Sequence, residues 1–418
     1  IGRVLELVAD GRDADAIALL LDVNPLPAVA ARVCPHPCDH DVNAIGAANR
    51  AAYAHRFAGL LERFAAPDRP DRIAMRSVER YLGDRAIAEP GLVPIEEAPV
   101  LRGSVGIIGS GPSALSAAWQ LRRRGVAVTL YDEAREPGGV LRQGIPEFRL
   151  PRAILDAEIG RVVAGAVEFR GGVRVGRDVT VDELREIHDA VVVAVGFGRS
   201  RSMPLEGAAG VAGIHAGTSF LRRYNAGADM GRLGTVAVVG GGNTAMDCAR
   251  AARRSGADVT VYYRRGEAEM PAIPDEVEDA RADGVRIETM VLPRRVVAGH
   301  DGRVVALEIV GMELGEVDAS GRRSPHAVPG TERVVEADTV IMALGETADL
   351  SFVDGTGMED VAGTDGVDVS FTGATRQADV FACGDVAFGH GTVTQAISTG
   401  RRTADAVSRY LNRQGVRA

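Results

Sequence analysis

The apolar positions divide the chain into two regimes. Over the first hundred residues they recur at helical spacing: VLELVADGRDADAIALLL (4–21), AYAHRFAGLLERFA (52–65) and IAMRSVERYLGDRA (73–86) each predict a helix. NPLP at 24–27 ends the first, because proline cannot continue a helix, and the breaker-rich APDRPDR separates the other two. No strong strand is expected before residue 104, and EPGLVPIEEAPVLRG (89–103) reads as a linker. From Ser104 the pattern changes to short β-branched runs, each followed by a glycine turn and a helix. This is the βαβ alternation of a doubly wound α/β fold. It starts at 105 and again at 235, so two domains of one architecture are expected. DAVVVAVGFG (189–198) and ADTVIMALGE (337–346) resemble each other and would close one domain each, carrying the chain across between them. The expected boundaries are a helical domain at 1–98, a first α/β domain at 99–215 and 346–418, and a second at 216–345.

Each α/β start carries a glycine fingerprint. In VGIIGSGPSALSAAWQLRRRGVAVTLYDEA (105–134), Gly109, Gly111 and Ala114 fit G-x-G-x-x-G/A. The first makes the tight turn, the second lets backbone approach a pyrophosphate, and the third permits close helix–strand packing. The helix start then aims amide donors and a positive dipole end at the phosphates. The next strand ends in Asp132, which can accept hydrogen bonds from a ribose; the adjacent Glu133 reads as a solvated loop acid. In VAVVGGGNTAMDCARAARRSGADVTVYYRR (236–265), Gly240, Gly242 and Ala245 repeat the fingerprint. Its second strand is followed by Arg264 and Arg265. An acid there would repel a 2′-phosphate, whereas arginine offers it a fork of donors, so NADP(H) is favoured over NAD(H). Cys248, on the following helix, reads as a small packing residue. A third glycine segment, ADVFACGDVAFGHGTVTQAISTGRRTADAV (378–407), places Asp385 after a strand and starts a helix near Thr392. Asp385 could accept from a flavin ribityl chain, and that helix start could stabilise charge on reduced flavin.

Composition narrows the class. The 418 residues are 46% hydrophobic and 25% charged, ordinary for a soluble globular chain, and no run approaches the ~20 apolar residues of a membrane helix. A formal net charge of −9 argues against non-specific nucleic-acid binding. Four scattered cysteines make no disulfide framework, which suits a reducing cytoplasm. The chain begins at Ile1, so a missing targeting signal says little. It contains no lysine, and all 48 basic residues are arginine, so neither a lysine Schiff base nor a P-loop lysine is available.

These motifs, in order, resemble the small (β) subunit of glutamate synthase. They resemble equally the NADPH-binding part of dihydropyrimidine dehydrogenase and the large subunit of NADH-dependent ferredoxin:NADP+ oxidoreductase. The carrying stretches are NPLPAV, VCPHPC, IAMRSVERY, GSGPSALSAA, EPGGVLRQGIPEFRLP, VVGGGNTAMDCAR, YYRRGEAEMPA, ALGE and FACGDV, which span nearly the whole chain. The resemblance implies two Rossmann-like domains in a glutathione-reductase-like arrangement, preceded by the helical domain, in an FAD-dependent NADPH oxidoreductase. Gly109, Gly111, Pro112, Ser113 and Ala114 would hold the FAD pyrophosphate, with Asp132 on the adenosine ribose. Gly139, Leu141, Arg142 and Ile145 would line the flavin. Gly384, Asp385, Thr392 and Val393 would bind its ribityl and pyrimidine side. Gly240, Gly241, Gly242, Asn243, Thr244, Arg264 and Arg265 would bind NADPH, with Gly345 near the nicotinamide. No general acid or base is required, because the flavin N5 carries the hydride.

In the family, four cysteines spaced by three residues bind an iron–sulfur cluster in the helical domain and pass electrons to a partner subunit. Here the four positions are Ala30, Cys34, Cys38 and Val42. Two ligands are missing, so a four-cysteine cluster cannot be completed by this segment and no metal is expected there. Asp39, His40 or Asp41 remain as substitutes in principle. Three functions stay open: an electron-input subunit of a larger complex, a stand-alone reductase of a small molecule or quinone, and a non-catalytic nucleotide-bound scaffold.

Overall fold

In the computed structural model, two five-stranded parallel sheets carry the two fingerprints. It describes residues 1–34, 39–41, 58–66, 69–93, 103–201, 203–317, 322–353, 361–363, 366–389 and 391–415. The chain forms two compact units. One holds Ile1–Arg142, Glu147–Phe197 and Ala348–Ala418; the other holds Gln143–Pro146 and Gly198–Thr347. Apart from the short 143–146 excursion, the chain changes unit at the last residue of the first look-alike segment and one residue after the second.

The strands of the first unit, in chain order, begin with β1 (Asp39–Asp41), β2 (Ala65–Ala66) and β3 (Arg69–Ala74). There follow β4 (Ser104–Ile108), β5 (Ala127–Asp132), β6 (Val167–Gly171) and β7 (Ala190–Val193). The second unit supplies β8 (Arg199–Ser200), β9 (Ile214–Ala216), β10 (Thr235–Val239), β11 (Asp258–Tyr263) and β12 (Arg286–Thr289). It continues with β13 (Val291–Ala298), β14 (Val304–Val317), β15 (Arg323–Ala327), β16 (Arg333–Glu336), β17 (Thr339–Met342) and β18 (Glu346–Thr347); β19 (Val380–Ala382) returns to the first unit.

The first parallel sheet has the order β19-β7-β4-β5-β6 and the second β12-β11-β10-β17-β9. In each, the fingerprint strand lies centrally, between its successor and a strand from a look-alike segment. That is the switch point where nucleotides bind in open α/β sheets. The central strands β4 and β7 are buried almost throughout, as expected for parallel sheets covered on both faces. The second unit adds antiparallel pairing of β14 with β13, β15 and β16, and a small β8–β18 ladder.

The N-terminal region differs from expectation in two respects: the one helix expected over 4–21 is broken at Gly11 (φ +71°), and a short sheet forms. Helices Gly2–Ala9, Asp13–Val23, Pro27–Val33 and Met75–Ala88 form, and 58–64 is helical, but β1, β3 and β2 also pair as an antiparallel sheet. The strand sequences DHD, AA and RPDRIA carry no apolar alternation, so the period-2 signal that reveals strands is absent.

This region packs on the first α/β domain. Trp119 Nε1 donates to Leu21 O at 2.8 Å and Gln120 Nε2 to Asp22 O at 2.7 Å. The fully buried Glu158, on helix Arg152–Val162, accepts from the Ala28 and Val29 amides at 2.9 Å each. NPLP therefore both ends a helix and presents the next helix start to a buried carboxylate. Helix Val393–Arg413 lies against Pro112–Arg122, where a Cβ on Gly400 would stand 2.1 Å from Ser113 O and Ser116 Oγ donates to Ile397 O at 2.7 Å.

Candidate nucleotide-binding sites

The two phosphate loops repeat each other atom for atom in their main supports. Gly109 (φ +107°) donates to Tyr131 O at 2.7 Å, and Gly240 (φ +145°) to Tyr262 O at 3.1 Å. A Cβ on Gly109 would meet Ala194 O at 2.5 Å; one on Gly240 would meet Ala343 O at 2.2 Å. Both therefore need glycine twice over, for the left-handed backbone and for the close carbonyl. Gly111 and Gly242 are the N-caps of helices Pro112–Arg122 and Asn243–Arg254, and neither helix start has a side-chain cap. By contrast, Val181–Ile187 and Val393–Arg413 both begin with complete capping boxes. The uncapped pair leaves amide donors for an anion. No atom lies within 4 Å of a Cβ built on Gly111, and only Pro271 Cγ, at 3.9 Å, near one on Gly242. Both loops fit a pyrophosphate.

The loops differ in what lies beside them. At the first, Ser110 Oγ donates to Asp132 Oδ2 at 2.6 Å and Ala134 N to Oδ1 at 2.8 Å. Burial pushes the Asp132 carboxyl up, against the pull of those hydrogen bonds. At the second, Gly241 replaces Ser110 and Tyr263 replaces Asp132. A Cβ on Gly241 would sit 2.5 Å from the Tyr263 ring, whose hydroxyl donates to Glu269 O at 2.7 Å. Asn243 Oδ1 accepts from Ile273 N at 2.9 Å, and Ala272 N donates to Gly241 O at 3.0 Å, fastening the MPAI turn across this loop. Thr244 is half-buried in the first helical turn.

The arginine pair separates. Arg264 is exposed, whereas Arg265 is 4% exposed and its Nε donates to Arg323 O at 2.8 Å. Both lie in the bend that follows β11, where the chain turns one side chain out and the other in. Arg265 Nε is thus engaged by the Arg323 carbonyl, while Arg264 is the more accessible of the two arginines expected on a 2′-phosphate. In the same unit, Ile145 is half-buried, and Gly345 (φ +94°) accepts from Arg201 N at 2.9 Å with nothing within 4 Å of its Cβ position.

Within the first unit the structure brings three distant segments together. A Cβ on Gly139 (φ +52°) would meet Gly111 Cα at 2.7 Å, and one on Gly384 (φ +75°) would meet Ser113 Oγ at 2.4 Å. EPGG and CGD therefore both abut the first phosphate loop, with Pro112 and Ala114 in its helix start. Asp385 lies near the start of helix Val393–Arg413: a Cβ on Gly391 would be 3.6 Å from its Oδ1. Thr392 caps that helix, accepting from Gln395 N at 3.3 Å, so the capping box takes the amide of the third helical residue while those of Val393 and Thr394 carry the helix-end charge. Two of the residues expected to line the flavin also have structural contacts. Leu141 is fully buried, its side chain within the core. Arg142 pairs with Asp156 and donates to Pro137 O at 2.7 Å, which fixes the EPGG turn.

Ser110, Tyr263, the 271–273 turn and Thr399, which accepts from Gly384 N at 3.0 Å, were not legible as site residues. Tyr263 had a signal, since it occupies the strand end where the first site has an acid.

Residues 103–400 match the pyridine nucleotide-disulphide oxidoreductase family. The chain belongs to that family. It is 41% identical to the NADP(+)-dependent formate dehydrogenase subunit beta of Moorella thermoacetica over 98% of this chain and 58% of that protein. It is 36% identical to the NADPH-Fe(3+) oxidoreductase subunit beta of Geobacter sulfurreducens, over 97% of this chain and 61% of that one. The chain thus spans about six-tenths of both. It is 34% identical to the glutamate synthase [NADPH] small chain of Escherichia coli over 97% of this chain and 85% of that protein, in line with the resemblance read from the motifs. Mycobacterium tuberculosis FprA in complex with NADPH shares the fold at a TM-score of 0.61 and 20% identity, over 75% of this chain and 85% of that one.

The family name includes disulphide chemistry, but the described cysteines of this oxidoreductase are poorly suited to it. Cys34, Cys248 and Cys383 are free and buried. Burial pushes the Cys383 thiol up to about 12 and raises that of Cys248 as well, which suppresses the nucleophilic thiolate. Cys34 Sγ lies 3.6 Å from Thr394 Oγ1, and Ala30, in the first cluster-ligand position, is fully buried in a helix. Cys38 and Val42 lie outside the described residues. Among the described residues no helix is by itself long and apolar enough to cross a membrane.

Proposed function

We propose that this chain is the electron-input part of an NADPH oxidoreductase, with FAD in the first unit and NADPH in the second, in the glutathione-reductase-like arrangement. The observation that carries the reading is the duplicated uncapped phosphate loop, differing at the two positions that distinguish the nucleotides. Ser110 with Asp132 suits a ribose bearing free hydroxyls. Gly241, Tyr263 and exposed Arg264 suit a 2′-phosphorylated one. The closeness of Gly384 to Ser113 supports a single extended ligand running from the pyrophosphate loop to Asp385 and Thr392. When bound, FAD would take a hydride from NADPH and release electrons one at a time.

The chain's own residues bind and orient. Gly109, Gly111, Ser113 and Ala114 present backbone to the FAD phosphates, while Asp132 accepts from the ribose. Gly240, Gly242 and Thr244 present backbone to the NADPH phosphates, with Asn243 holding the 271–273 turn in place. No side chain need carry a proton in hydride transfer, so positioning and electrostatics are the protein's contribution. The acceptor is a partner protein, in the cytoplasm. Since Ala30 and Val42 provide no thiolates, electrons leave the flavin without a four-cysteine cluster on this segment. Purified chain reconstituted with FAD is expected to reduce ferricyanide with NADPH in preference to NADH, and to contain no iron. Turnover with neither nucleotide would overturn the reading; about one cluster of iron per flavin would overturn its account of the exit.

A further inference from the structure

On the face of the first unit formed by the 370–374 turn and the residues after Gly384, an arginine lies between two phenylalanines. The Arg402 guanidinium carbon stands 3.9 Å from the Phe371 ring centroid and 4.7 Å from that of Phe388. Phe371 is 76% exposed, the most exposed large hydrophobic in the described chain, and Phe388 is 36% exposed. The turn holds Phe371 outward by construction: Gly373 N donates to Ser370 O at 2.9 Å, and Ser370 N to Ala374 O at 2.9 Å. Arg402 Nε is buried and has no hydrogen-bond partner among the described residues, and no carboxylate pairs with the guanidinium there. Arg124, in contrast, is satisfied by Asp405 on the same helix as Arg402.

We propose that Phe371, Arg402 and Phe388 form the docking surface for the electron acceptor, a small acidic carrier protein that sets a carboxylate on Arg402 and apolar surface on Phe371. This rests on the proposed function. Three considerations select that occupant. Among the described residues Arg402 has no ion-pair partner, and a carboxylate supplies one. Exposed aromatic–arginine clusters are the composition of binding hot spots. Finally, the cluster is built on the two elements that carry the proposed flavin contacts. Phe388 closes the short helix Asp385–Phe388, and Arg402 lies on the helix that begins at Val393. Each NADPH supplies two electrons and one proton. Two carrier molecules take one electron each, and the proton passes to solvent.

The test uses FAD-loaded chain, NADPH and three acceptors: rubredoxin as the acidic one-electron carrier, cytochrome c as the basic one, and ferricyanide. The wild type is expected to reduce rubredoxin faster than cytochrome c at low salt, with the difference shrinking as salt rises. Phe371→Ser and Arg402→Glu are each expected to lower the rubredoxin rate at least fivefold and to leave the ferricyanide rate within twofold. Because Phe371 is so exposed, its variant folds even if that of Arg402 does not. Unchanged rubredoxin rates in both variants, or a wild type that prefers cytochrome c, would overturn the docking surface while ferricyanide turnover leaves the proposed function standing. Loss of wild-type ferricyanide turnover would instead remove the function on which the inference rests.

Discussion

Gly241→Ala isolates the feature that distinguishes the two loops. Gly241 has no left-handed backbone, so alanine adds no dihedral strain, only a methyl group. That methyl would lie 2.5, 2.6 and 2.9 Å from Cδ2, Cε2 and Cγ of Tyr263. Ordinary carbon contacts are about 3.5–4.0 Å, so loop or ring must shift by roughly 1 Å. The ring has little room: it is 6% exposed and its hydroxyl is tied to Glu269 O at 2.7 Å. The loop is tied too, through Ala272 N to Gly241 O. Overpacking of this kind costs about 1–3 kcal/mol. Since each 1.4 kcal/mol is about tenfold in affinity, KM for NADPH should rise roughly 5- to 150-fold. Bound FAD should be unaffected, because the first loop has Ser110 and Asp132 at these positions. Steady-state ferricyanide reduction measures the first quantity, and flavin released by heat measures the second. In a Tyr263→Ala background the added methyl should change KM less than twofold. A wild-type KM in Gly241→Ala, or an equal penalty in both backgrounds, would refute the steric argument.

The sequence carried most of the parallel-sheet architecture, because buried strands followed by glycine turns have few other readings. Both fingerprints, the strand-end acid and the helix start at Thr392 lie where their motifs place them. What the sequence hid was side-chain direction. Arg264 and Arg265 are equivalent as letters, but in the bend after β11 one is exposed and the other becomes a buried donor. Leu141 sits in a conspicuous motif yet serves the core. The β1–β3 sheet escaped because its short polar strands have no hydrophobic period. Glu158 escaped for a different reason: a glutamate on an amphipathic helix looks solvated until its partner, the Ala28–Val29 helix start 129 residues or more away, is brought to it.

Other outcomes follow from the same geometry. Gly384→Ala, which sets a left-handed φ against a 2.4 Å approach to Ser113 Oγ, should lower the flavin-to-protein ratio severalfold without altering the NADPH KM of the loaded fraction. Arg264→Ala should raise the NADPH KM about tenfold and leave NADH unchanged. Arg265→Ala should instead lower the melting temperature, because Arg323 O loses its donor, and leave the NADPH-to-NADH ratio unchanged. Burial pushes the Glu158 carboxyl up to about 8, outweighing Arg161 and the two amides that favour its charge. The folded form therefore holds an extra proton above the ordinary glutamate value of 4.5, and stability should fall as pH rises from about 4.5 to about 8. Fluorescence of Trp119, the only tryptophan, should report this loss through its bond to Leu21, and Glu158→Gln should flatten the slope.

The most direct test of the account is anaerobic mixing of FAD-loaded chain with NADPH in a stopped-flow spectrophotometer. The flavin absorbance should bleach fully with one equivalent of NADPH, and far more slowly with NADH at the same concentration. Flavin that stays oxidised under excess NADPH would contradict the central claim that this chain takes hydride from NADPH onto FAD.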